Sequence, residues 1–215
     1  MTARLRISEI FHSLQGEAAT SGRPTTFVRL TGCPLRCGYC DTSYAFNGGA
    51  LFSIVDVMAQ VANFPTRYVT VTGGEPLAQT ECVTLLQALV DEGYQVSLET
   101  SGALPISDID ARVSIVMDLK TPGSGEVSRN LYSNIEELKP IDQVKFVICS
   151  RADYEWARFK VDEYSLSERV CEVLFSPVYN VQPAKELAEW ILSDGLDVRL
   201  QIQLHKLLWG DIAGV

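Results

Sequence analysis

Short apolar runs alternate along the chain with stretches of helical spacing. The runs TFVRLTG (26–32), RYVTVTGG (67–74), QVSLETSG (95–102), VSIVMDLK (113–120), QVKFVICS (143–150), EVLFSPV (172–178) and DVRLQIQL (197–204) read as strands. Between them, 53–64, 80–93, 152–164 and 184–195 read as amphipathic helices, and 130–138 as a weaker one. Ser53 is placed to cap the first helix, and Gly93 to end the second. Runs such as VSIVM, apolar nearly throughout, predict parallel strands buried on both faces by helices. The pattern predicts an α/β protein with right-handed crossovers. About six parallel strands are too few for a closed eight-stranded barrel, which favours a partial, open (β/α) barrel.

In such folds the chemistry collects at the carboxyl ends of the strands. Polar signals stand there four times: TGC after the first strand, TGGEP after the second, ETSG after the third and DLKTPGSG after the fourth. No repeat or linker interrupts the 215 residues, so one domain over 1–215 is expected.

The net charge of −9 disfavours nucleic acid and anionic membranes as partners. No secretory leader or membrane-spanning run is evident, which points to the reducing cytoplasm. There, clustered cysteines are metal ligands or catalytic groups rather than disulfides. Three of the six cysteines stand as Cys33-x3-Cys37-x2-Cys40; Cys82, Cys149 and Cys171 are scattered and read as core packing. Taken alone, the triplet leaves three readings open. These are zinc with His12 or another fourth ligand, a thioredoxin-like CxxC, and a [4Fe–4S] cluster with one iron left free for a small molecule.

CPLRCGYC, with an aromatic at Tyr39, resembles the signature of radical S-adenosylmethionine (SAM) enzymes, and TGGEP (72–76) resembles their second motif. SLQGE (13–17), FVRLTGCPLRCGYCDT (27–42), ETSG (99–102) and LHKLL (204–208) narrow the resemblance to the 7-carboxy-7-deazaguanine synthases of the queuosine pathway. It implies a lyase that converts 6-carboxy-5,6,7,8-tetrahydropterin to 7-carboxy-7-deazaguanine with loss of ammonia, after radical abstraction of a hydrogen from C6.

The resemblance also implies roles. Cys33, Cys37 and Cys40 hold the cluster. Tyr39, Cys40, Asp41, Gly74, Ser101, Asp118, Leu119, Lys120, Ser176, Pro177, Val178 and Tyr179 surround SAM. Leu14, Gln15, Gly16, Arg29, Thr72 and the C-terminal Val215 meet the substrate, with Arg29 gripping a carboxylate. Thr42 binds Mg2+ together with substrate oxygens, Asp41 assisting. His205 is a candidate proton carrier, and His12 is expected to pack near the cluster loop. Glu17 caps a loop or orients Arg29; Lys145 serves substrate or fold. The family often has S-P-K where this chain has Asp118-Leu119-Lys120, and a Q-P sequence where it has Ser176-Pro177. An electron donor such as flavodoxin or ferredoxin and a homodimer also follow from the resemblance. A radical SAM activase that plants a glycyl radical on a partner protein, or a zinc-binding interaction module, are the competing expectations.

Overall fold

The computed structural model describes residues 3–210, 212 and 214. Among the described residues nine strands form one sheet: β1 (Arg4–Leu14), β2 (Pro24–Leu30), β3 (Ala50–Ser53), β4 (Tyr68–Gly73), β5 (Gln95–Thr100), β6 (Ser114–Asp118), β7 (Gln143–Ile148), β8 (Glu172–Pro177) and β9 (Arg199–Leu200). The order is β3-β1-β2-β4-β5-β6-β7-β8-β9. β2 and β4 through β9 run parallel; β1 is antiparallel to both β2 and β3.

The helices are α1 (Ile54–Val61), α2 (Cys82–Asp91), α3 (Asn134–Glu137), α4 (Arg151–Glu163), α5 (Leu166–Arg169), α6 (Ala184–Asp194) and α7 (Leu204–Trp209). Ser53 caps α1 in a reciprocal box: its hydroxyl accepts from the Asp56 amide, and the Asp56 carboxylate accepts from the Ser53 amide. Gly93, with φ +90°, follows α2 in a conformation that side chains disfavour.

The central strands alternate. Val69 and Val71, Val96 and Leu98, Ile115 and Met117, and Val144 and Phe146 are buried among apolar residues of the flanking elements. The alternate positions carry Thr70 and Thr72, Ser97 and Glu99, Asp118, and Lys145, which a period of two puts on the opposite face. That polar face is concave. The loop after β1 reaches Thr70 on β4 through Gln15, Gln143 and Lys145 on β7 through Ala19 and Glu17, and the segment beyond β9 through Gly16. One loop can touch strands so far apart in the order only if the sheet curls round it. The expected open barrel is thus present, with loop 15–23 as its filling.

Several expectations need correction. β1 and β3 are not among the expected strands: β1 alternates cleanly only over 4–7 before its register shifts between Ile7 and Glu9, and β3 is only four residues long. The last run forms only the two-residue β9; Leu204–Trp209 is helical. His12 is far from the cluster loop. It is exposed, pairs with Thr26 near the start of β2 and stacks on Phe64 with ring centres 5.6 Å apart. Cys82 is core, but Cys171 is exposed and Cys149 half-buried just beyond β7. Among the described residues no helix is long and apolar enough to cross a membrane.

Candidate active site

The cysteine loop leaves the carboxyl end of β2. Gly32 (φ +101°) makes the exit turn, and its amide donates to the Ala45 carbonyl. Leu35 is buried and anchors the loop. Two amides of the loop are held from the segment after β6: Arg36 donates to Glu126 Oε1 (2.6 Å) and Gly38 to the Ser124 carbonyl (3.0 Å). Cys33, Cys37 and Cys40 are free thiols, each half-buried. Burial pushes the Cys33 and Cys37 thiols up; the Leu35 amide eases the first and the Lys120 ammonium the second. Coordination to a metal would deprotonate them outright.

The TGGEP turn after β4 backs onto this loop. A side chain at Gly74 would place its Cβ 2.3 Å from the Gly32 carbonyl and 2.7 Å from Cys33 Cβ. Only glycine lets the two turns touch. Glu75 is fully buried and binds the turn to the ETSG segment. Its carboxylate accepts from the Leu77 amide (3.0 Å), the Ser101 amide (2.7 Å) and the Thr100 and Ser101 hydroxyls. Ser101, expected at the cofactor, is thus engaged by Glu75.

Beside the loop, Lys120 Nζ pairs with Asp118 (2.8 Å) and lies 5.9 Å from the centre of the Tyr39 ring. Burial opposes the charge on Lys120, but Asp118 and Cys37 outweigh it and raise its pKa. Among the described residues, the Tyr39 hydroxyl and Asp118 Oδ1 are buried without a hydrogen-bond partner. Both orphaned atoms suit a polar ligand next to the cysteines. Leu119 is fully buried in the core, so only its backbone can face a ligand. Ser176, Pro177, Val178 and Tyr179 follow one another across the carboxyl end of β8, with Lys206 Nζ 5.3 Å from the Tyr179 ring centre.

The substrate candidates gather on the concave face. Arg29 Nε pairs with Glu9 Oε1 (2.7 Å), which also accepts from the Tyr44 hydroxyl (2.8 Å). Glu9, not Glu17, therefore orients Arg29. Thr72 donates to Glu99 Oε2 (2.9 Å), and Gln15 Nε2 approaches Glu99 Oε1 (3.4 Å) while donating to Thr70 (3.1 Å). Thr72 and Gln15 thus converge on Glu99, which the sequence motifs do not single out. The signal was available: an acidic residue at an inward position, just before a strand's carboxyl end. Lys145, 2.8 Å from Glu17 and 3.9 Å from Asp118, also faces inward. Burial alone would raise the Glu17 carboxyl, but Lys145 and Gln203 outweigh it and hold it below its ordinary value.

The C-terminal segment closes one side. The Leu204 amide donates to the Gly16 carbonyl (3.0 Å), and a Cβ on Gly16 would lie 2.1 Å from His205 Nδ1. Gly16 and His205, a substrate contact and a proton carrier by resemblance, form one contact. A Cβ on Gly214 would stand 3.2 Å from Glu9 Oε2, which sets Gly214 beside the partner of Arg29. Val215 lies outside the described residues. Thr42 donates its hydroxyl to Asp41 Oδ1 (2.8 Å). Leu14 ends β1 at its pairing with Pro24.

The donor set fits an iron–sulfur cluster: three half-buried sulfurs on one glycine-shaped loop, with a lysine and an orphaned carboxylate oxygen alongside.

Residues 27–121 match the model of the radical SAM superfamily. The chain is 42% identical to the 7-carboxy-7-deazaguanine synthase of Koribacter versatilis, over 95% of this chain and 97% of that protein. It is 43% identical to the synthase of that name from Chlorobaculum tepidum, over 99% and 98%. Its fold matches the crystal structure of QueE from Escherichia coli with a TM-score of 0.77, at 22% identity over 94% and 95% of the two chains. Similarity that spans both ends of the chain and both cysteine-loop and TGGEP turns has one consequence: the chain belongs to the 7-carboxy-7-deazaguanine synthase family of radical SAM enzymes.

Proposed function

We propose that this protein converts 6-carboxy-5,6,7,8-tetrahydropterin to 7-carboxy-7-deazaguanine with loss of ammonia, as a single radical SAM unit over residues 1–215. The observation that carries the reading is the convergence of Arg29, Thr72, Glu99, Asp118 and Lys145 on one concave face, beside a three-thiol loop that Gly74 touches. Cys33, Cys37 and Cys40 would hold a [4Fe–4S] cluster, with SAM between Tyr39, Asp41, Gly74 and Lys120 on one side and Ser176–Tyr179 on the other. Bound there, the two supply reductive carbon–sulfur cleavage and hydrogen abstraction, which no side chain can perform.

The chain's own residues position the substrate. Arg29 keeps guanidinium N–H groups beyond its bond to Glu9, and these suit a two-pronged grip on the substrate carboxylate. Glu99, held by Thr72 and Gln15, is an acceptor suited to the N–H edge of a pterin. The alternating charges of Glu17, Lys145, Asp118 and Lys120 keep the floor rigid without a net charge. His205, against Gly16, is the candidate to move a proton. Thr42 would give a magnesium ion one oxygen, the substrate and water completing its shell. A reduced flavodoxin or ferredoxin in the cytoplasm would donate the electron, and the working form would be a homodimer.

Anaerobic reconstitution tests this reading. A brown protein with about four irons per chain, turning over the carboxypterin with SAM and reductant alone, is the expected result. One zinc and no colour would overturn it. A need for a second protein to accept the radical would restore the activase reading, which full-length similarity to the synthases does not favour.

A further inference from the structure

Gln203 lies between β9 and α7, outside every motif that carries the family resemblance. Its Nε2 stands 2.8 Å from Glu17 Oε1 and 3.1 Å from Asp41 Oδ2. A side-chain amide nitrogen has two hydrogens, and here each has its own carboxylate. The two acceptors belong to different sites. Glu17 follows Gln15 and Gly16 in the loop that fills the barrel. Asp41 follows Cys40 in the cysteine loop. Each also has a cation: Lys145 at 2.8 Å for Glu17, and Lys206 at 3.0 Å for Asp41.

The rest of the segment is fastened at the same place. The Leu204 amide meets the Gly16 carbonyl, and His205 packs on Gly16. On the outer side, Leu207, Leu208 and Trp209 are exposed. With Leu207 and Leu208 turned to solvent, α7 rests on the molecule chiefly by polar contacts to the two loops, and polar contacts to exchangeable partners release more readily than an apolar core.

We propose that Gln203 is a positioning residue that couples the two ligand sites. Docked on both carboxylates, it ties the substrate loop, the cysteine loop and α7 into one ordered unit. A ligand that orders either loop prepays part of the ordering for the other, which makes the two ligands bind cooperatively. The inference rests on the substrate reading above, and adds to it a residue and a coupling.

Two variants test it. Gln203→Leu keeps the size and removes both donors. Gln203→Glu keeps the shape and sets a third carboxylate against the two. In the cluster-free chain, hydrogen exchange of the 204–209 amides should speed up by about tenfold or more for Gln203→Leu, the order expected for losing hydrogen bonds to charged acceptors. Gln203→Glu should speed it further. In the reconstituted protein, the carboxypterin should tighten SAM binding by about fivefold or more in the wild type. In Gln203→Leu that factor should fall to near one, with each ligand's affinity measured alone within about threefold of wild type and iron content unchanged. Unchanged exchange, or a coupling factor that survives Gln203→Leu, overturns the proposal. A wild-type protein that fails to bind the carboxypterin overturns the substrate reading instead, and the exchange result still accepts or rejects the clasp.

Discussion

Replacing Glu75 with glutamine tests how the TGGEP turn is held. The change is isosteric and opens no void. The two carboxylate oxygens of Glu75 each have a fixed donor: the Leu77 amide on Oε1 and the Ser101 amide on Oε2. Hydroxyls of Thr100 and Ser101 can rotate to accept from a new NH2 group; main-chain N–H groups cannot. Whichever way the new amide turns, one buried N–H loses its acceptor and faces a donor. Such a loss costs about 1–3 kcal/mol, from a total stability of about 5–15 kcal/mol. Taking about 2 kcal/mol, Tm should fall by about 4–8 °C for a chain of this size. Glu75→Ala strands both N–H groups and should cost about twice as much. Because Gly74 adjoins the Cys33 turn, SAM affinity of the reconstituted Glu75→Gln protein should fall as well. The assays are thermal unfolding of the cluster-free chain and equilibrium binding of SAM to the loaded one. Wild-type melting with wild-type SAM affinity would refute the reasoning.

Gly74→Ala should fold, since the core is untouched, but a Cβ 2.3 Å from the Gly32 carbonyl must displace the cysteine loop; iron content after reconstitution should drop, and full loading would contradict the close approach. Arg29→Ala should raise the KM for the carboxypterin far more than it weakens SAM binding, and equal effects on both ligands would remove Arg29 as the substrate grip. Lys145→Met leaves the largely buried Glu17 without its cation, with the Gln203 amide still on it, and should cost about 3 kcal/mol at neutral pH, with Glu17→Gln in the same chain restoring much of it. Glu17 is held below its ordinary value by Lys145, so the pair's contribution is complete above about pH 4.3 and is lost as pH falls further. Lys145 is raised by the neighbouring carboxylates, so on the alkaline side the contribution is complete below about pH 10 and is lost as pH rises further. The stability deficit of Lys145→Met should therefore shrink as pH falls through the carboxylate range, where protonated Glu17 no longer needs a cation; a pH-independent deficit would show that the pair is not what was broken.

By itself, the sequence determined the elements whose signal is local. Apolar runs set the parallel strands, Ser53 and Gly93 bounded helices, and the cysteine spacing with TGGEP pointed, through the family resemblance, to the chemistry, because motifs carried on single loops depend on neighbours in the chain. What needed the tertiary structure was every relation between distant segments. Arg29 takes Glu9 rather than Glu17 because β1 pairs with β2 in a register that sets those residues opposite. Glu99 becomes the meeting point of Gln15 and Thr72 only once the sheet curls and the β1–β2 loop fills it. LHKLL is a helix over Gly16, and not the end of a strand, because β9 runs out of partners after two residues and the polar contacts of Gln203 and Lys206 fix the turn that follows. Periodicity records which face a residue presents; which residue it meets there is decided by the closure of the barrel, and no stretch of chain carries that on its own.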